Sequence, residues 1–299
     1  MHQANGVPAV VAGHGAPAVR DAVKSLARRE WLLWVVGALL ANEALHIFDV
    51  SSVSAFVGSV LSINIFVLFA GFVVIRRIQL SAAAPLADGY DFALGFGLLA
   101  ILCITGFAGY RADIGLAASV AALYLLLRYR AVSGLRAAGA TLLALACNLV
   151  WAPMAAQVVM PELLWLDGLV VNATMTLAQV PFVQKGNAFF MPGDHALTLV
   201  AACSSFSNMS MAVLGSVSAI MALRPHFVRR DWVVMLLACG VMVLVNAGRI
   251  TVYALGPAQQ AYWHDGAGAQ IIGLVITAII LATSFLGALW ASHDLDPVL

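Results

Sequence analysis

The chain has 299 residues, of which 63% are hydrophobic and 10% charged, with a mean hydropathy of +0.96, whereas a soluble domain carries about 25% charged residues. So few charges cannot cover the surface of a soluble protein this long, so a soluble enzyme is excluded and lipid bilayer must solvate most of the chain. A net charge of +1 supplies no basic face for nucleic acid, and Cys103, Cys147, Cys203 and Cys239 show neither a Cys-x-x-Cys pair nor metal-site spacing, so no disulfide framework, metal or cofactor is predicted.

Residues 1–30 read as a disordered cytoplasmic tail, because the first twenty are rich in Gly, Ala, Pro and Val without helical periodicity. Runs of about 20 apolar residues, the length that crosses a bilayer, then occur near 31–50, 53–75, 91–108, 113–128, 137–159, 197–223, 232–255 and 269–290. The predicted fold class is therefore all-α, a polytopic membrane protein with about eight transmembrane helices. With the N-terminus inside, Arg20, Lys24, Arg28, Arg29, Arg76, Arg77, Arg128, Arg130, Arg136, Arg224, Arg229 and Arg230 fall on the cytoplasmic side, leaving Arg111, Lys185 and Arg249 outside. That asymmetry follows the positive-inside rule and puts both termini in the cytoplasm. The organisation predicted is a five-helix membrane region over 31–159, an extracytoplasmic loop over 160–196, a three-helix membrane region over 197–290 that carries the chemistry, and a cytoplasmic tail over 291–299.

The 160–196 loop is too long for a featureless connection. Its first part, 163–180, is amphipathic and carries Trp165, which suits the headgroup region. Its second part has two short β-prone runs around Lys185-Gly186-Asn187, a hairpin-like signal just before the sixth span.

Polar residues inside spans need a reason. Glu43 and His46 share one face of the first span at i, i+3 spacing; a packing pair and a functional pair both fit, while the first histidine of a His-Glu-x-x-His zinc helix is missing. Cys203 is predicted six residues inside the sixth span, about 9 Å below its outer end at the helical rise. Ser204, Ser205, Ser207 and Asn208 follow it and make a polar helix end, where a thiolate is favoured. Asn246 and Arg249 lie at i, i+3 near the outer end of the seventh span, and His264 lies in the loop after it. All three places are at one membrane face, so a cysteine, an arginine and a histidine can meet.

Over about residues 178–275 the sequence resembles the exosortase/archaeosortase family of transmembrane cysteine transpeptidases. There a G-[IV]-P-V-x-x-x-G-N-x-[IL]-x-[LV]-P stretch leads to A-C-S-G, N-x-x-R and a histidine before the last helix. This chain has Val180-Pro-Phe-Val-Gln-Lys-Gly-Asn-Ala-Phe-Phe-Met-Pro192, then Ala202-Cys203-Ser204, Asn246-Ala-Gly-Arg249 and His264. The resemblance implies Cys203 as nucleophile, Arg249 as its electrostatic partner and His264 as acid/base; Ser204, Ser205, Asn246, Asn187, Glu43 and His46 are expected in binding or supporting roles. It also implies substrates that are membrane-anchored proteins with a C-terminal sorting signal, and a site facing the extracytoplasmic side of the cytoplasmic membrane. Ser205 and Ser207 stand where the family commonly has Gly and Arg, so the chain looks like a divergent branch.

The chemistry also follows from the residues themselves. A thiol in an apolar helix needs a nearby cation to ionise, and a permanently charged arginine can supply one. A histidine can exchange the proton, and the arginine or the serine–asparagine cluster can stabilise the oxyanion. The competing reading is a secondary transporter or channel in which Glu43, His46 and Arg249 line a polar path, which predicts two related halves with broken helices; no such repeat occurs in the sequence.

Overall fold

The computed structural model describes Gly37 and residues 64–81, 89–108 and 111–292. The predicted first span with Glu43 and His46, most of the second, and the tails over 1–30 and 293–299 lie outside the described residues.

The described chain is a bundle of helices with a small sheet at one end. Helix α1 (Ile65–Leu80) starts where Asn64 Oδ1 accepts the Phe66 N–H at 2.9 Å, an N-cap that satisfies one of the orphan donors of the first turn. Helices α2 (Gly89–Ala108) and α3 (Arg111–Arg128) follow, then α4 (Ser133–Leu177), α5 (Phe206–Leu223), α6 (Arg229–Tyr253) and α7 (Ala267–Ser292). Among the described residues, α4 to α7 are long and apolar enough to cross a membrane.

Helix α4 departs most from the sequence expectation. At 1.5 Å per residue its 45 residues reach about 68 Å, roughly twice the hydrocarbon thickness. It cannot cross as one straight rod, and the sequence breaks it twice. A π turn at Cys147–Trp151 adds a bulge, and Val159 leaves helical angles (φ −105°, ψ 18°) two residues before Pro161. Proline removes one helical N–H and its ring crowds the carbonyl four residues back, which bends the helix there. Residues 160–177, expected as connecting chain, therefore continue the helix past the bend. The amphipathic 163–180 stretch is legible in the sequence; its helical continuity with the fifth span is not.

Two contacts fix the direction of the bundle. Asn64 Nδ2 meets Met211 Sδ at 3.0 Å, while at the other end of the same two helices Arg77 Nε–H donates to the Met221 carbonyl, so α1 and α5 run parallel. Arg224 closes that second end: it pairs with buried Asp231 and donates to the Ala291 carbonyl at 3.2 Å, while Asp231 Oδ2 accepts the Val228 N–H at 2.7 Å and caps α6. Arg76, Arg77, Arg128, Arg130, Arg136, Arg224, Arg229 and Arg230 all gather at this end, and Lys185 and Arg249 sit at the opposite one. Among the described residues, most of the arginines assigned to the inner side thus share one end of the bundle.

At the end away from the arginines the chain forms an antiparallel meander of β1 (Val183–Lys185), β2 (Ala188–Phe190) and β3 (Ala196–Thr198). Gln184 faces Phe189, and Phe189 faces Leu197. Gly186 takes a φ of 59° in the two-residue loop, the positive angle such a hairpin needs. The predicted hairpin is present; a third strand joins it, formed from what reads as the start of an apolar span. Phe189, Met191, Leu197 and Leu199 bury themselves against Leu164, Val171 and Met175 of α4 and Ile250 and Tyr253 of α6. Burying a large apolar side chain is worth about 1.5–3 kcal/mol. The sheet is therefore a lid clamped onto two helices.

Candidate active site

Cys203 lies just outside a helix, not a turn and a half within one. The chain leaves β3 extended, Leu199 N–H being held by the Asn187 carbonyl at 2.9 Å. It then makes a single 3₁₀ turn, Ala201–Cys203, and is extended again at Ser204 (φ −67°, ψ 142°). Helix α5 begins only at Phe206. Serines favour this break because their hydroxyls offer local partners that compete with helical hydrogen bonds: Ser204 Oγ accepts the Phe206 N–H at 3.2 Å. The expectation of a helix over 197–223 is corrected accordingly, and Cys203 precedes the N-terminal end of α5 by three residues.

The turn is held from two sides. From α4, buried Asp167 accepts the Ser205 N–H at 3.0 Å and the Ser205 hydroxyl at 2.6 Å. From α6, the Asn246 Nδ2 amide donates to the Cys203 carbonyl at 2.8 Å. Asn246 is itself buried, and its Oδ1 has no hydrogen-bond partner. Ser204 and Ser205 are thus buried parts of the frame. Asn187 acts through its backbone carbonyl.

Helix α6 carries the rest of the site on one face, since positions three, four and seven apart align along a helix. One turn beyond Asn246, Arg249 has a buried Nε without a hydrogen-bond partner among the described residues, and its guanidinium carbon lies 5.8 Å from the centre of the Tyr253 ring, within cation–π range. Tyr253 is the hub. Its ring meets the His264 ring edge-on at 5.5 Å, its hydroxyl donates to the Trp263 carbonyl at 3.2 Å, and its own carbonyl accepts from His195 Nε2 at 3.0 Å, which places the His195 proton on Nε2. Half-buried Cys203 and Trp263 pack against the same apolar cluster as Ile250 and Tyr253. Along one face of α6, Asn246 thus holds Cys203, while Tyr253 meets both Arg249 and His264.

His264 is exposed, on a π turn at Ala261–Asp265. Its place depends on Gly268 at the start of α7, where a Cβ would come within 2.6 Å of the Trp263 ring. Thr174 and Thr251 hydroxyls, 2.9 Å apart, bind the end of α4 to this part of α6. Among the described residues no three His, Cys, Asp or Glu side chains cluster as metal ligands.

Three residues of the site are not evident from the sequence. Asp167 falls in a stretch that reads as interfacial loop. Tyr253 stands four residues after Arg249, on the same helical face, and His195 reads as a loop residue. Only the Arg–Tyr spacing is a usable signal; the other two contacts join segments far apart in the chain.

Comparison with characterised proteins and with solved structures gives no match. Comparison with protein families matches residues 58–281, well over half of the chain, to the transmembrane exosortases, a family of membrane cysteine transpeptidases. The match takes in α1 to α6 and most of α7, with the cysteine turn, the Asn246–Arg249 face and His264 inside it, and so the chain belongs to the transmembrane exosortase family.

Proposed function

We propose that this exosortase is a cysteine transpeptidase or peptidase that cleaves a C-terminal sorting signal from membrane-anchored exported proteins. It works near the outer membrane–water interface of the cytoplasmic membrane, and both termini of its eight-span chain are cytoplasmic. The observation that carries the reading is the buried, unpartnered Nε of Arg249, one helical turn from the Asn246 amide that holds the Cys203 carbonyl. A buried donor left without a partner costs about 1–3 kcal/mol, a cost that is offset if the guanidinium is reserved for a charge that develops during reaction.

The steps follow from the residues. The Cys203 thiolate attacks the scissile carbonyl and forms a C–S bond. The carbonyl oxygen becomes an oxyanion that Arg249 stabilises. Collapse breaks the C–N bond, and protonated His264 delivers its proton to the departing amine, leaving a thioester on Cys203. An acceptor amine or water then attacks the thioester, His264 takes its proton, the C–S bond breaks, and the Cys203 thiolate is regenerated beside protonated His264. The sheet and the outer part of α4 shield the thioester, which favours transfer over hydrolysis.

The test works with the substrate still unidentified. C-terminal sequencing of exported membrane proteins is compared between cells carrying the wild-type chain and cells carrying Cys203→Ala. A set of proteins that keep their C-terminal helix only in the variant supports the reading. Identical C-termini in both strains, with the variant present at wild-type level, overturn it.

A further inference from the structure

A cavity of about 280 Å³ opens beside the Cys203 turn. Ala201 and Ser204, which bracket the cysteine, form one wall; Ser207 and Ser210 of α5, Asn148 of α4 and Asn64 at the start of α1 supply its other polar groups. Helix α6, which carries Asn246, Arg249 and Tyr253, contributes no lining residue. The cavity therefore lies on the α1–α4 side of the nucleophile, whereas His264 packs against Tyr253 on the α6 side.

The chemistry of the lining is specific. Among the described residues the lining offers no ionisable side chain. The polar groups are amides and hydroxyls in a braced frame: Asn148 Nδ2 donates to Ser210 Oγ at 2.7 Å, and Ser210 Oγ donates to the Ser207 carbonyl at 3.1 Å. That arrangement spends one Asn148 amide hydrogen on the frame and leaves the Asn148 carbonyl oxygen and the Ser207 hydroxyl, neither of which has a hydrogen-bond partner among the described residues, for an incoming group. Met160, Pro153 and Phe206 form apolar walls. The volume is at the small end of ligand pockets, about 300–1,000 Å³.

We infer that this cavity binds the uncharged peptide segment on the acyl side of the scissile bond, the part of the substrate that stays on Cys203 as the thioester. The inference rests on the proposed transpeptidase reading and adds direction to it. The leaving amine must face the proton donor, and His264 is on the α6 side, so the acyl side extends the other way. Neutral peptide N–H and C=O groups match the amide and hydroxyl lining, and small apolar side chains match its walls.

The experiment uses the full chain in its own membrane and, as probes, the proteins that retain their C-terminal helix in the Cys203→Ala strain. A benzophenone amino acid replaces Ser207 in the Cys203→Ala background, and crosslinked peptides are mapped by mass spectrometry. Crosslinks to residues N-terminal to the cleavage position support the inference; crosslinks to residues C-terminal to it, or to lipid alone, overturn it. Separately, Ser207→Trp fills the cavity without removing a side-chain hydrogen bond. Processing should fall about tenfold or more, since small displacements of a reacting group cost that much, while a small reagent still alkylates Cys203 at close to the wild-type rate. Wild-type processing by Ser207→Trp beside an inactive Cys203→Ala chain overturns the subsite and leaves the transpeptidase standing; processing by Cys203→Ala itself sinks the underlying function instead.

Discussion

Asp167→Ala tests whether the bent outer part of α4 is a working part of the site. The carboxylate is 5% exposed and accepts both donors of Ser205, two residues after the nucleophile. Hydrogen bonds to a charged group contribute about 1.5–3 kcal/mol each, so losing both costs about 3–6 kcal/mol before water or a rearranged turn recovers part of it. Asp167→Asn keeps the shape and can still satisfy both groups: its carbonyl accepts the Ser205 N–H, and its amide donates to the Ser205 hydroxyl, which then serves as acceptor. The expected order of thermal stability in detergent is therefore wild type, Asn, Ala, with Ala lowest by several kcal/mol.

The same pair separates positioning from electrostatics. If charge were what mattered, Asp167→Asn would speed alkylation of Cys203 at fixed pH. If Asp167 holds the turn, Asp167→Ala slows both alkylation and processing, and Asp167→Asn largely restores them. An Asp167→Ala protein with wild-type melting temperature and wild-type processing would refute the reasoning, because the Ser205 anchor would then contribute nothing to the site.

Other outcomes follow from the same geometry. Arg249→Lys keeps a charge but loses the planar guanidinium over Tyr253, so it should retain little processing, and Arg249→Ala essentially none; near-wild-type rates in the lysine variant would show that a point charge suffices. His264→Ala should slow processing about 10²–10⁴-fold, the range for general acid–base catalysis, whereas an unchanged rate assigns the proton to another group. Gly268→Ala should push the Trp263 ring aside and lower processing with little effect on Cys203 alkylation; equal loss of both would place the damage at the nucleophile. A membrane-impermeant thiol reagent should label single cysteines introduced at position 185 from outside the cell and at position 229 only after permeabilisation, and outside labelling at 229 would reverse the proposed topology.

Composition alone makes the membrane class legible, because no folding detail can hide so few charges. The arginine asymmetry is equally legible, and among the described residues the structure gathers Arg76, Arg77, Arg128, Arg130, Arg136, Arg224, Arg229 and Arg230 at one bundle end, with contacts such as Arg77 to Met221. What the sequence conceals are the places where tertiary contacts override an apolar run. Residues 196–205 continue the hydrophobicity of α5, so they read as its first turns. They are drawn off the helix because β3 needs extended backbone to pair with β2 and because Ser205 is claimed by Asp167, 38 residues earlier. The same limit hides the course of α4: hydropathy marks where lipid solvates the chain, not where a helix ends, and α4 continues past Pro161 to reach the sheet and Ser205. Sequence order can place Cys203, Arg249 and His264 at one face, but not the Asn246 and Tyr253 contacts that connect them. These contacts explain why the nucleophile lies at a break between strand and helix. There its backbone carbonyl is free to be held by α6, whereas a carbonyl inside a helix would be paired within its own ladder.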